Sequence, residues 1–121
     1  TLPLTLFPYT TLFRSPYGLV RFGYSLYGQA QQGVDVKPLL SDVMAAIDTA
    51  IKTAEPQLKP LMFNTLAMLA SESGDLKKAI AAQQAAVDAT DNERQKKRLT
   101  VMLDELKQKL ENQGTGDSAK P

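Results

Sequence analysis

Apolar residues recur at helical spacing along most of the chain and divide it into a series of predicted helices. The clearest stretch covers residues 63–91, FNTLAMLASESGDLKKAIAAQQAAVDATD, in which two apolar faces are separated by Gly74 and Asp75. Glycine favours the left-handed backbone at a helix C-terminus, and aspartate caps the N-terminus of the next helix. The stretch therefore predicts two helices joined by a tight turn.

Similar apolar stripes flank this hairpin on both sides. Before it, Leu40, Val43, Met44, Ile47 and Ile51 predict a helix that ends ahead of Pro56. After it, a helix with otherwise charged faces carries Leu99, Met102, Leu103, Leu106 and Leu110. One apolar stripe of this kind suits a terminal capping helix, and Thr90 to Glu93 matches a capping box at its start.

Residues 16–32, PYGLVRFGYSLYGQAQQ, fit two patterns. A helical face is formed by Leu19, Phe22, Gly23, Leu26, Tyr27 and Ala30, whereas Val20, Phe22, Tyr24 and Leu26 alternate as in a strand. We favour a helix because the spacing Leu19, Phe22, Gly23, Leu26 repeats in the hairpin as Phe63, Leu66, Ala67, Ala70. A β-strand is the alternative prediction for this segment.

These patterns predict an all-α domain of antiparallel helical hairpins over residues 16–111, with about five helices including the C-terminal capping helix. Residues 112–121, NQGTGDSAKP, have almost nothing to bury, so we expect a disordered tail.

The first residues have a different origin in our interpretation. Residues 5–15, TLFPYTTLFRS, resemble codon for codon the conceptual translation of a common short-read sequencing adapter. We therefore expect residues 1–15 to be an unstructured artefact fused to a truncated gene. A natural segment such as part of a signal peptide is the alternative, but Pro3 and Pro8 interrupt it and no cationic region precedes it.

Composition excludes several kinds of site. The chain has no Cys and no His, which removes thiol nucleophiles, imidazole bases and the usual zinc ligands. Its formal charge of +1 gives no overall attraction to nucleic acid or anionic lipid, and the basic run of residues 94–98 is interpreted as a solvated helix face. We expect no enzymatic activity, no metal or other cofactor, and neither a nucleic-acid nor a membrane partner.

The hairpin resembles a tetratricopeptide unit. The family pattern, Trp-x2-Leu-Gly-x2-Tyr then Ala-x3-Phe and Pro, falls here on Phe63, Leu66, Ala67, Ala70, Ala79, Gln83 and Asp91. Ala70 and Gln83 replace aromatic residues, and Asp91 replaces proline. The resemblance implies a second, looser unit over residues 19–54 and a protein-interaction or structural function. Another antiparallel helical bundle is the alternative.

In that family the first helices of the units line a concave groove for a protein or peptide partner. Carried over by position, the groove would contain Tyr17, Val20, Tyr24 and Tyr27, then Leu61, Asn64, Met68 and Ser71. The family's carboxylate clamp of Lys, Asn and Arg is absent. These tyrosines would also suit packing on a preceding domain.

A narrower resemblance concerns the end of the chain. GDLKKAIAAQQAAVDAT followed by LDELKQKLE looks like the helical tail behind a thioredoxin-like domain in some bacterial exported proteins, where Gln83 is familiar. It implies a non-catalytic tail of a thiol-disulfide oxidoreductase whose Cys-x-x-Cys domain is missing here. An extracytoplasmic location would follow in that case, and otherwise the compartment stays open.

Overall fold

A computed structural model describes residues 15–119 of the chain, with side chains for residues 15–113. The elements are α1 Pro16–Gln31, α2 Lys37–Ile51, α3 Lys59–Glu72, α4 Leu76–Ala89 and α5 Glu93–Ala119. No strand occurs between residues 15 and 119, so the all-α prediction is confirmed and residues 16–31 form a helix.

The turn at Gly74 and Asp75 has the geometry that the sequence predicts. Gly74 adopts φ of 89°, in the left-handed region that costs glycine little. The Asp75 carboxylate accepts a hydrogen bond of 3.1 Å from the Lys78 N–H, which satisfies one of the free donors in the first turn of α4. Local chemistry therefore ends α3 and begins α4.

The start of α5 differs from the predicted capping box. Its N-cap is Asn92, whose Oδ1 accepts from the Gln95 N–H at 2.9 Å. Thr90 lies two residues earlier, where its hydroxyl donates to Gln95 Oε1 at 2.7 Å and accepts from the Asn92 N–H at 3.3 Å. The cap thus lies closer to the helix because Asn92 is itself a strong capping residue.

The end of α5 also differs from the sequence prediction, which ended the helix at residue 111. The backbone continues as helix through Ala119, since extending an existing helix costs far less than starting one. The proposed artefact lies outside the described residues except for Ser15, whose hydroxyl caps α1 by accepting from the Gly18 N–H at 3.5 Å.

The central element is α3. It packs against α2 before it, α4 after it, and α1 across the domain, while α5 packs mainly on α4. Successive helices in contact are joined by short loops, so they run antiparallel. The charged capping helix expected at the C-terminal end is α5.

The core consists of two apolar clusters. The larger joins α1 to α4 and contains Leu19, Val20, Leu26, Val36, Leu40, Val43, Ile47, Leu58, Met62, Leu66, Ala67, Leu69 and Ala82. The smaller joins α4 to α5 through Ala86, Val87, Leu99 and Leu103, with Phe63 of α3 packed against it. Between Ala82 and Ala86 lies Gln83, a fully buried amide side chain.

Helix α1 approaches α3 closely at Gly23. A Cβ at this position would lie 2.7 Å from Thr65 Cγ2 and 3.4 Å from Leu69 Cδ1. Thr65 cannot easily rotate away, because it is β-branched and its hydroxyl donates to the Leu61 carbonyl at 2.8 Å. Packing therefore requires glycine at position 23, which is the third residue of the repeated spacing.

We predict opposite effects for two glycine-to-alanine changes in α1. Gly28→Ala meets nothing within 4 Å and should stabilise the domain by about 0.5–1 kcal/mol through helix propensity. Gly23→Ala gains the same propensity but overpacks the contact with Thr65, for a net loss of roughly 1 kcal/mol. Urea unfolding measures both, and a Gly23→Ala protein as stable as Gly28→Ala would contradict the close packing.

Candidate functional site

Residues predicted for the groove meet where α1 faces α3. The Asn64 amide nitrogen lies 3.2 Å from the Tyr24 hydroxyl and 3.7 Å from Met68 Sδ. Tyr24 directly follows Gly23, and Asn64 directly precedes Thr65. Gly23 and Thr65 form the close contact between the two helices. The helix packing therefore brings the two predicted residues together across 40 positions of sequence.

Three further predicted residues open onto one cleft of about 200 Å³. They are Tyr27 of α1 and Met68 and Ser71 of α3. The remaining lining comprises Ala67, Gln83, Met102, Glu105, Leu106 and Lys109. We refer to the open space that these nine residues line as the cleft. Because α1, α3, α4 and α5 all contribute to it, the capping helix is one of its walls.

The other predicted residues lie elsewhere. Val20 is 3% exposed and belongs to the larger core cluster, because α1 is covered on two sides by α2 and α3. Leu61 packs against the same cluster. Tyr17 is 59% exposed in the first turn of α1 and does not line the cleft.

Gln83 is the most unusual polar residue of the cleft. Its side chain is fully buried, and its Nε2–H donates to the Leu99 carbonyl at 3.1 Å. Only the amide NH₂ can donate to a carbonyl, so this bond fixes which way the amide points. Its Oε1 is buried without a hydrogen-bond partner among the described residues.

Asn64 presents a second unpaired acceptor. The residue is 8% exposed, and its Oδ1 is buried and has no partner within the described part of the chain. A buried acceptor left unpaired costs about 1–3 kcal/mol. Each helix of the hairpin therefore has one unpaired acceptor near the cleft, on Asn64 in α3 and on Gln83 in α4.

The sequence pattern did not identify the α5 residues of the cleft or assign Gln83 to it. Gln83 did stand out as a polar residue at an aromatic position on the inner face of its helix, which was the available signal. Met102 and Leu106 belong to the α5 apolar stripe, and they are half-buried because that stripe is wider than its contact with α4.

Charges around the cleft balance. Glu105 and Lys109 are one helical turn apart on α5, and both side chains are exposed.

Among the described residues, no group of three or more Asp, Glu, His or Cys side chains could hold a metal ion. No helix between residues 15 and 119 has the length and apolar character required to span a bilayer.

Comparisons with protein-family models, with curated proteins and with solved structures found no match to this chain.

We predict that the amide group of Gln83, as distinct from the volume of its side chain, adds little to stability. Gln83→Met keeps the length of the side chain and removes the unpaired acceptor, while the Leu99 carbonyl keeps its bond within α5. Its free energy of unfolding should stay within about 1 kcal/mol of the parent or rise above it. Gln83→Ala should lose about 2 kcal/mol or more, since it leaves a cavity between the two clusters.

Chemical denaturation of the three proteins tests this. A loss for Gln83→Met as large as that for Gln83→Ala would mean that the amide itself holds α4 and α5 together.

Proposed function

We propose that this domain is a tetratricopeptide-like interaction module that binds a short peptide segment of another protein in the cleft. The observation that carries the proposal is the convergence of predicted groove residues from α1 and α3. Tyr24 and Asn64 are hydrogen-bonded to each other, and Tyr27, Met68 and Ser71 line one cleft beside them.

The order of helix contacts supports the repeat interpretation. The first helix of each hairpin, α1 or α3, packs against its own partner helix, and α1 and α3 also pack against each other. They approach each other closely at Gly23, the position that corresponds to Ala67 in the hairpin. This is the arrangement in which neighbouring first helices form one continuous face.

The chemistry of the cleft suits a peptide side chain better than a free metabolite. Sites for small molecules usually enclose about 300–1,000 Å³, whereas this cleft measures about 200 Å³. Its apolar lining includes Met68 and Met102, and methionine adapts its shape to a bound group. Tyr27 and Ser71 add hydroxyl groups that can bond to a peptide backbone.

A second candidate partner is a preceding domain of the same chain, of the thioredoxin-like kind. Tyr17 and Tyr24 favour it, because they lie two turns apart on one side of α1 and are 59% and 38% exposed. Large exposed aromatic residues often mark protein contacts. In that case the domain would be a non-catalytic, extracytoplasmic tail and the tyrosines, not the cleft, would form the contact.

Selection from a displayed random-peptide library on the purified chain tests the peptide proposal. We predict that Met68→Glu weakens a selected peptide at least about tenfold, because it places a carboxylate against an apolar ligand. Ala81→Glu is the matched control, since Ala81 is exposed on α4 outside the cleft. Fluorescence anisotropy gives the affinities.

Two results would contradict peptide binding in the cleft. One is a library that yields no binder, and the other is a set of binders with equal affinity for the Met68→Glu and Ala81→Glu proteins. Tyr17→Ser should leave binding unchanged, because Tyr17 does not line the cleft.

A further inference from the structure

We infer that the cleft selects the indole ring of a tryptophan, with the indole N–H donating to Gln83 Oε1. This inference rests on the proposed peptide-binding function and specifies the side chain that the peptide presents. It is carried by the unpaired, fully buried oxygen of Gln83 in a cleft that is otherwise largely apolar.

The unpaired oxygen of Gln83 favours a ligand that offers a hydrogen-bond donor. Its NH₂ is engaged by the Leu99 carbonyl at 3.1 Å, so the amide cannot turn over to present a donor instead. The ligand group that pairs with Oε1 must therefore be an N–H or O–H. A ligand group that has no such donor leaves Gln83 Oε1 unpaired in the bound protein, as it is in the free protein.

The size of the cleft fits one aromatic ring system. An apolar protein cavity of about 150 Å³ holds benzene, and this cleft of about 200 Å³ is somewhat larger. Methionine sulfur atoms make favourable contacts with aromatic rings, and Met68 and Met102 lie on different helices of the lining. A bicyclic ring between them would contact both α3 and α5.

Charge and lone pairs distinguish indole from the other donors. A lysine or arginine would bring a cation into a cleft whose rim charges, Glu105 and Lys109, already balance. A tyrosine hydroxyl would add acceptor lone pairs beside apolar residues. The indole N–H is a donor only, so it pairs with the unpaired Oε1 of Gln83 without bringing an acceptor that would itself need a donor.

Access to Oε1 requires neighbouring side chains to move, because Gln83 is fully buried. Met68 and Met102 are half-buried residues of the same lining. Their unbranched side chains change rotamer at low cost, unlike the branched core residues below them. We therefore expect rotation of these two side chains, and not displacement of a helix, to admit the ring to Gln83.

The test uses the full chain, labelled with ¹⁵N, and two probes in NMR titrations. The first probe is N-acetyl-tryptophanamide. The second is the same compound built on 3-(3-benzothienyl)alanine, in which sulfur replaces the N–H with little change of shape. We expect shifts at cleft residues and about tenfold tighter binding of the tryptophan probe, as for one hydrogen bond to a buried acceptor.

Two variants locate the effect. In Gln83→Met the preference for the tryptophan probe should fall to about onefold, because the acceptor is gone. Gln84→Met is the matched control: Gln84 is exposed, bonds to Asp88 at 3.0 Å and lies outside the cleft, so the preference should persist.

Equal affinity of the two probes for the parent protein overturns the inference, as do shifts confined to residues outside the cleft or an unchanged preference in Gln83→Met. The comparison in the parent protein decides the matter even if a variant fails to fold. Selected peptides that depend on Met68 but lack tryptophan would overturn only this inference, whereas a chain that binds neither peptide nor indole overturns the proposed function as well.

Discussion

The close contact between Gly23 and Thr65 fixes how α1 lies on α3, and the candidate site depends on it. Thr65 is held by a hydrogen bond to the Leu61 carbonyl and presents its methyl group to the glycine. The adjacent residues Tyr24 and Asn64 are consequently brought within 3.2 Å of each other. A shift of one helix along the other would separate both pairs. One packing contact therefore sets the register of the core and of the surface beside it.

The opposite wall of the cleft depends on a second contact, between Gln83 and α5. Apolar burial on the smaller cluster, through Leu99 and Leu103, supplies most of the attraction between α4 and α5. Such attraction has little direction, whereas the bond from Gln83 to the Leu99 carbonyl is specific to one position along α5. This bond helps to define which α5 residues face Met68. The cleft thus exists where two independently fixed helix contacts meet.

The sequence predicted best those structural features that depend only on residues adjacent in the chain. The turn at Gly74 and Asp75 could be predicted because its backbone angle and cap depend on those residues alone. The burial of Val20 could not, because it depends on two neighbouring helices that cover adjacent positions of α1. Asn92 replaced Thr90 as the cap because two good capping residues lay two positions apart. The α5 wall of the cleft could not be predicted, because the sequence shows which residues of α5 are apolar but not which of them a neighbouring helix buries.

Unpaired amide oxygens are costly in a domain of this size. Domains generally have about 5–15 kcal/mol of net stability, so one or two acceptors at about 1–3 kcal/mol each remove a substantial part. The cost at Gln83 cannot be relieved by rotation, because the Leu99 carbonyl holds the other end of the amide. A donor on a ligand bound in the cleft would relieve it. A ligand that supplies this donor would gain a hydrogen bond to a buried acceptor, which is worth more than the same bond at an exposed position.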